Sequence, residues 1–344
     1  MFKKKKRRGR PKGSRNKPKE PVVKIKIQSL MDKEGIYTSP SEDSFKSKED
    51  IQVEKMYSGR ASVNYPDRQL GELTFEELHG EFARRAELRQ KVENKEYNAT
   101  IEIETDHPIG INWLADVHIP NQQVDYERLK WEIDEIKAHP YMKVALGGDL
   151  ADAFVWNPAQ FGDVGNLTEQ NLYIHRMLEY LGWDKILFAV VGNHCKWSRR
   201  MGLDMYHDLR DKIPVFDGTG TIDLYINKQL YIGAALHKAK GSSYLDPNYQ
   251  QKRFLRENEG YDWVFTAHTH EGGEQSLNKY TNRGMRKAVV LSGKTFKMSD
   301  DFQDTEGKKI HTHTGIGTNG VIFHHDKNMM IPVSSMYEML ELLK

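Results

Sequence analysis

Asp116-Val117-His118 sets a carboxylate and an imidazole two positions apart, and His268-Thr269-His270 repeats that spacing with two imidazoles. In extended backbone alternate side chains face the same way, so Asp116 and His118 can reach one ion. Between the two pairs lie Gly147-Gly148-Asp149, Gly192-Asn193-His194 and a lone His237. The two glycines permit a tight turn with the backbone close to a ligand, and the two oxygens of Asp149 suffice to bridge two ions. Asn193 offers an amide oxygen beside the His194 imidazole. Imidazole combined with carboxylate suits Mn, Zn, Fe or Ni better than Ca, which takes mostly oxygen. Two such ions about 3.5–4 Å apart clamp an in-line phosphoryl displacement. Any one of these residues alone reads as a cap or a solvated side chain; their succession does not.

The elements that must position them are apolar runs. Ile101 and Ile103 mark a strand, and 109–115 reads as a buried strand ending at Asp116. A helical pattern over 124–138 carries Leu129, Ile133 and Ile136 on one face. Val144-Ala145-Leu146 ends at Gly147-Gly148-Asp149, and after a helix over 168–181 the run 186–191 stops at Gly192-Asn193-His194. The run 230–236 stops at His237, and Trp263-Val264-Phe265-Thr266 stops just before His268. Strands near 288–291 and 321–323 and a short helix over 335–344 close the chain. This alternation predicts an α/β fold: a layered sandwich with two central mixed β-sheets flanked by helices. Each candidate ligand stands where a strand ends, and in α/β sheets ligands bind beyond the carboxyl ends of strands.

Taken in order, Asp116-Val117-His118, Gly148-Asp149, Gly192-Asn193-His194, His237 and Ala267-His268-Thr269-His270 resemble the motif series of calcineurin-like metallophosphoesterases. The resemblance covers residues 99–334. It implies two divalent metal ions, with Mn expected and Zn, Fe or Ni compatible. It also implies that Asp116, His118, Asp149 and His270 hold one ion while Asp149, Asn193, His237 and His268 hold the other, Asp149 bridging. By the same resemblance His194 is the general acid toward the leaving oxygen or orients the phosphate, Asp149 and His194 form the catalytic pair, and no covalent enzyme intermediate arises.

Two departures from the family pattern stand out. Cys195 occupies the position after Gly-Asn-His that is usually acidic, which removes a carboxylate that would orient His194; Asp204 and Asp208 are candidate substitutes. Ala267 replaces a glycine. Other motifs are decoys: His311-Thr312-His313 and His324-His325 lie outside the motif order and read as exposed histidines. Gly293-Lys294-Thr295 lacks the leading glycine of a phosphate-binding loop, because position 288 is alanine. Cys195 is expected to be structural rather than a nucleophile.

Composition adds a partner. The 344 residues are 38% hydrophobic and 29% charged, with a net charge of +2 and one cysteine. Of that charge, +11 sits on residues 1–19, leaving −9 on residues 20–344. Within the basic arm, Arg8-Gly9-Arg10-Pro11-Lys12 resembles an AT-hook. Arginines fit the narrow A·T minor groove, Gly9 lets the backbone lie deep, and Pro11 keeps it extended. Residues 20–71 read as a polar, disordered linker in which Val23-Lys24-Ile25-Lys26-Ile27 alternates like an edge strand. Residues 72–98 read as a helical segment opened by a capping box at Thr74-Phe75-Glu76-Glu77. No apolar run approaches the roughly 18 residues of a membrane span, no secretory leader follows the N-terminal charge, and the single cysteine fits a reducing, cytoplasmic setting. The leading expectation is a Mn²⁺-dependent DNA nuclease or phosphodiesterase recruited by its arm, with Lys196, Arg199, Arg200, Lys238 and Lys240 as rim cations. The alternatives are a phosphatase or small-nucleotide phosphodiesterase, and a non-catalytic DNA-binding protein with a relic metal site. Oligomeric state is open.

Overall fold

The computed structural model describes residues 20–29, most of 74–84, and 97–344 apart from 154–163, 201, 242, 244, 282–283 and 299–314. The AT-hook-like stretch 8–12, the rest of the linker and His311 and His313 lie outside the described residues.

Thirteen strands are described: β1 Val22–Ser29, β2 Tyr97–Glu104, β3 Ile109–Leu114, β4 Met142–Leu146, β5 Ile186–Val190, β6 Val215–Phe216, β7 Gly220–Ile226, β8 Gln229–Ala235, β9 Trp263–Thr266, β10 Gly273–Thr281, β11 Gly284–Ser292, β12 Asn319–Phe323 and β13 Met330–Val333. Five helices accompany them: α1 Tyr126–Ala138, α2 Leu167–Leu181, α3 Asn193–Arg200, α4 Tyr249–Glu257 and α5 Met336–Leu342. Before β2, Phe75, Glu76, His79, Gly80 and residues 82–84 are helical, with Phe75 and Phe82 exposed.

The strands form two mixed sheets, one of seven strands in the order β1-β2-β7-β8-β9-β11-β10 and one of six in the order β13-β12-β3-β4-β5-β6. The alternation at 23–27 becomes β1, an edge strand antiparallel to β2 with Ile25 opposite Ile101, so this part of the expected linker is ordered. Between the sheets lies an aromatic core of Trp113, Phe188, Phe216, Trp263, Phe265 and Phe323. The Trp113 Nε1–H donates across it to the Thr266 carbonyl at 2.7 Å. Leu129, Ile133 and Ile136 of α1, Ile174 and Leu178 of α2, and Met336 and Met339 of α5 pack on the outer face of the six-stranded sheet. Leu255 of α4 packs on the outer face of the seven-stranded sheet against Ala234, Val264 and Val290. The fold is an α/β sandwich of two mixed sheets flanked by helices. Among the described residues, no helix is long and apolar enough to cross a membrane.

Three parallel β–β pairings position the site. β3, β4 and β5 run parallel in one sheet, so residues 116, 149 and 193 leave it at the same end. β8 and β9 run parallel in the other and deliver His237 and His268. Both sheets therefore open onto one rim.

Candidate metal centre

The backbone at this rim is strained. Asp116, His118, Asp149, His268 and His270 all have φ between 47 and 75°, and they are five of the seven non-glycine residues with positive φ among the described residues. The left-handed region costs an L-residue about 1–2 kcal/mol. Such concentrated strain marks a site held for function rather than for stability. Cross-links keep these turns in shape: Asp116 N–H donates to the Gly148 carbonyl at 3.0 Å and His118 N–H to the Asp149 carbonyl at 3.1 Å. His268 N–H donates to Asp116 Oδ2 at 2.8 Å, and His194 N–H to Asp149 Oδ1 at 2.9 Å. Gly192 is required at its position because a Cβ there would lie 1.9 Å from Asp149 Oδ1.

The side chains form three close donor groups: Asp116 with His118 and His270, Asp149 with His237 and His268, and His118 with Asp152 and His194. In each, one ligand atom per residue lies within 4.8 Å of the others. Nε2 of His118 faces Nε2 of His270 at 3.0 Å, and Asp116 Oδ1, 3.6 Å from the latter, is buried without a hydrogen-bond partner. Nε2 of His237 lies 2.9 Å from Asp149 Oδ2 and 3.0 Å from Asn193 Oδ1. All seven residues expected as ligands, and His194, thus meet at one rim. Ligand-type atoms facing one another, beside an orphaned carboxylate oxygen, suit a cation between them.

Outer contacts fix which nitrogen faces inward. His118 Nδ1 is 2.6 Å from Asp152 Oδ1, His237 Nδ1 is 2.8 Å from the Gly147 carbonyl, and His194 Nδ1 is 2.5 Å from the Asp152 carbonyl. A ring nitrogen that donates to an oxygen leaves the other nitrogen to bind a ligand.

Burial alone would raise the Asp116 and Asp149 carboxyls. The neighbouring imidazoles, chiefly His270 for Asp116 and His237 for Asp149, offset it and hold both below the usual carboxylate range. Burial lowers His237, yet the Asp149 carboxylate beside it prevails and raises it to about 9. Burial, with His237 and Lys238 nearby, takes His268 down to about 4. Burial lowers His194 as well.

The structure accounts for the departure at position 195. Cys195 points into the core beside the Tyr206 hydroxyl, and burial pushes its thiol up to about 12, which leaves no thiolate to act as a nucleophile. Asp204 does not serve His194; Arg199 takes it at 3.1 Å. The residue that sequence reasoning missed is Asp152. Its signal was its place three residues after Asp149, at the turn that follows β4. Its carboxylate serves His118, while its carbonyl and, at 3.8 Å, Oδ1 flank His194 Nδ1.

The rim cations are a mixed outcome. Arg199 is tied to Asp204 and to Asp217, the latter at 2.7 Å, and does not face the rim as a free cation. Lys196, Lys238 and Lys240 are exposed, and Lys238 Nζ sits 2.9 Å from His268 Nε2. His324 and His325 stack with parallel rings 4.9 Å apart beside Asp326, away from the rim.

No protein-family model matches the sequence, and none of the curated proteins does. Among solved structures, the chain is similar to Vps29 of Entamoeba histolytica complexed with zinc, at 11% identity over 65% of this chain and 97% of that one, with a TM-score of 0.32. It is similar to a calcineurin-like phosphoesterase of Bacillus subtilis at 12% identity over 68% and 96% of the two chains, with a TM-score of 0.31. A metallophosphoesterase of Sphaerobacter thermophilus gives 13% identity over 68% and 94%, with a TM-score of 0.32.

Proposed function

We propose that this chain is a phosphoester hydrolase of the calcineurin-like metallophosphoesterase kind with a dinuclear metal centre, acting as a DNA nuclease or phosphodiesterase. The observation that carries the reading is the convergence of seven metal-type side chains and His194 at one strained rim, with donor atoms facing one another. The donor set fits two divalent cations, with Mn²⁺ expected: Asp116, His118, Asp149 and His270 for one, and Asp149, Asn193, His237 and His268 for the other. When bound, such ions polarise a phosphoryl oxygen and make water a nucleophile near neutral pH.

The chain's own residues do the rest. Asp149 ties the two halves, its Oδ1 held by the His194 amide and its Oδ2 beside His237. His194, anchored through Nδ1, turns Nε2 toward the rim, where it hands a proton to the leaving oxygen or orients the phosphate. Lys238, exposed at the rim with Nζ 2.9 Å from His268 Nε2, is the cation that could meet a phosphate there. The sequence of the arm at Arg8, Gly9, Arg10, Pro11 and Lys12 supports recruitment to DNA. The locking of Arg199 by two carboxylates favours, as a second reading, a phosphatase or small-nucleotide phosphodiesterase that needs no long basic groove.

The test is hydrolysis of linear and circular DNA, single- and double-stranded, with Mn²⁺ and with chelator, beside Asp149→Ala. Mn²⁺-dependent cutting lost in the variant supports the nuclease. Cleavage of a generic phosphoester with no DNA cut moves the substrate to the second reading. No cleavage and no bound metal overturns the hydrolase.

A further inference from the structure

Lys297 is 3% exposed and stands directly behind the candidate metal centre, where the chemistry above does not use it. Its Nζ lies 3.6 Å from Oδ2 of Asp152, itself fully buried. That oxygen also accepts from Asn121 Nδ2 at 2.9 Å, and Asn121 is buried too. The other oxygen, Oδ1, takes His118 Nδ1 at 2.6 Å. Lys297, Asn121, Asp152 and His118 thus form a buried polar chain that ends on Nε2 of His118, aimed at His270.

The segment carrying Lys297 is laced to the site on both sides. Thr295 Oγ1 donates to the Asp116 carbonyl at 2.7 Å and accepts the Lys297 N–H at 3.0 Å. Asp125 N–H donates to the Phe296 carbonyl at 2.9 Å, and Met298 N–H to the Gln123 carbonyl at 2.9 Å. The origin of the lysine side chain is therefore fixed. Cover alone does not call for an ammonium, because Phe296 next to it supplies apolar cover at 0% exposure. Burying a charge without a partner is costly, so its place beside Asp152 calls for a reason.

We infer that Lys297 is a positioning residue that acts through Asp152 on His118 and thereby sets the affinity of the Asp116–His118–His270 position for its metal ion. This rests on the dinuclear reading of the site. Asp152 belongs to a donor group of its own with His118 and His194, so a carboxylate free to swing would compete for a cation at the wrong place. Lys297 and Asn121 together occupy Oδ2. They leave Oδ1 to hold His118, at 2.6 Å against 3.8 Å for His194, with the His118 Nδ1 hydrogen outward and its Nε2 lone pair inward. Partners behind a ligating histidine typically change metal affinity 10–100-fold when removed.

The experiment uses the full chain, as wild type, Lys297→Gln and Lys297→Arg, each stripped of metal and checked by circular dichroism for a retained melting transition. Mn²⁺ binding is followed by calorimetry, and the His118 ring nitrogens are followed by NMR in the metal-free proteins. The expected result is two ions in the wild type. In Lys297→Gln one ion should bind about 10–100-fold more weakly and the other as before, with recovery in Lys297→Arg and a loss of the single His118 tautomer in Lys297→Gln. Wild-type affinity at both positions in Lys297→Gln, or an unchanged His118 tautomer, overturns the inference. A wild type that binds no Mn²⁺ overturns the dinuclear reading instead, and the tautomer measurement still decides what Lys297 does to His118. If Lys297→Gln does not fold, Lys297→Met, which removes the ammonium and keeps the apolar stem, carries the test: loss of the single His118 tautomer with native melting upholds the positioning role, and an unchanged tautomer overturns it.

Discussion

Raising the pH should tighten binding of the ion held by Asp149, Asn193, His237 and His268, because His237 must lose a proton to coordinate. In the metal-free protein the Asp149 carboxylate, 2.9 Å from His237 Nε2, outweighs burial and holds the imidazole at about 9. A raised value means the protonated form dominates below about 9, and that form has no lone pair at Nε2. At pH 7 displacing that proton costs a competing metal about 3 kcal/mol. Affinity should rise about ninefold from pH 7 to 8 and about fivefold more from 8 to 9, levelling off above at about 100-fold in all. The slope should be close to one proton rather than two, since His268 sits at about 4 and is already neutral across that range. Calorimetric Mn²⁺ titrations in two buffers of different ionisation enthalpy should show about one proton released per ion at pH 7. Asp149→Asn removes the group that raises His237 and should flatten the slope as well as weaken binding. A pH-independent affinity with no proton release would refute the assignment of His237 as a ligand displaced from Asp149.

Gly192→Ala should abolish metal binding while leaving a folded protein, since its Cβ would fall 1.9 Å from Asp149 Oδ1 and 2.3 Å from Asp149 N. Overpacking of this kind costs about 1–3 kcal/mol; Mn²⁺ calorimetry and a urea melt check both halves. Arg199→Met should lower stability by about 2 kcal/mol. That is less than the usual cost of breaking a buried ion pair, because the Asp217 side chain is 41% exposed. The same variant should leave the salt dependence of DNA binding as it was, so a shifted salt slope with unchanged stability would return Arg199 to the rim. Deleting residues 1–19 removes 11 Lys or Arg side chains. If the arm carries DNA affinity, the slope of log K against log salt should shrink by about 0.9 for each lost phosphate contact; an unchanged slope in a binding titration sinks the recruitment idea.

Much of the fold was legible because several strands are apolar runs with abrupt ends. The run 109–114 is buried at every position and stops at Asp116, and 142–146 and 186–190 do the same before Asp149 and Asn193. Other elements gave no such signal. β10, Gly-Glu-Gln-Ser-Leu-Asn-Lys-Tyr-Thr, has no apolar period of its own; it is a strand because β11 offers it a full antiparallel register from Ser292 to Gly284. β7 alternates buried and half-buried positions around Asp223, and β6 is two residues long. Helix α4 begins after Asn248 with no side-chain cap hydrogen bond to announce it.

The same division holds at the site. Residue type and local spacing determined which side chains could ligate: the chemistry of Asp, Asn and His is intrinsic, and a strand end presents it. Sequence alone also supplied the charged arm and its Arg-Gly-Arg-Pro pattern. Only tertiary structure decided that His118 and His270 face each other, that Asp152 holds His118, that Lys297 stands behind Asp152, and that Arg199 is spent on Asp204 and Asp217. Each of these depends on the distance between groups far apart in the chain. That distance is set by how two sheets pack around Trp113, Phe188 and Trp263, which no local pattern encodes.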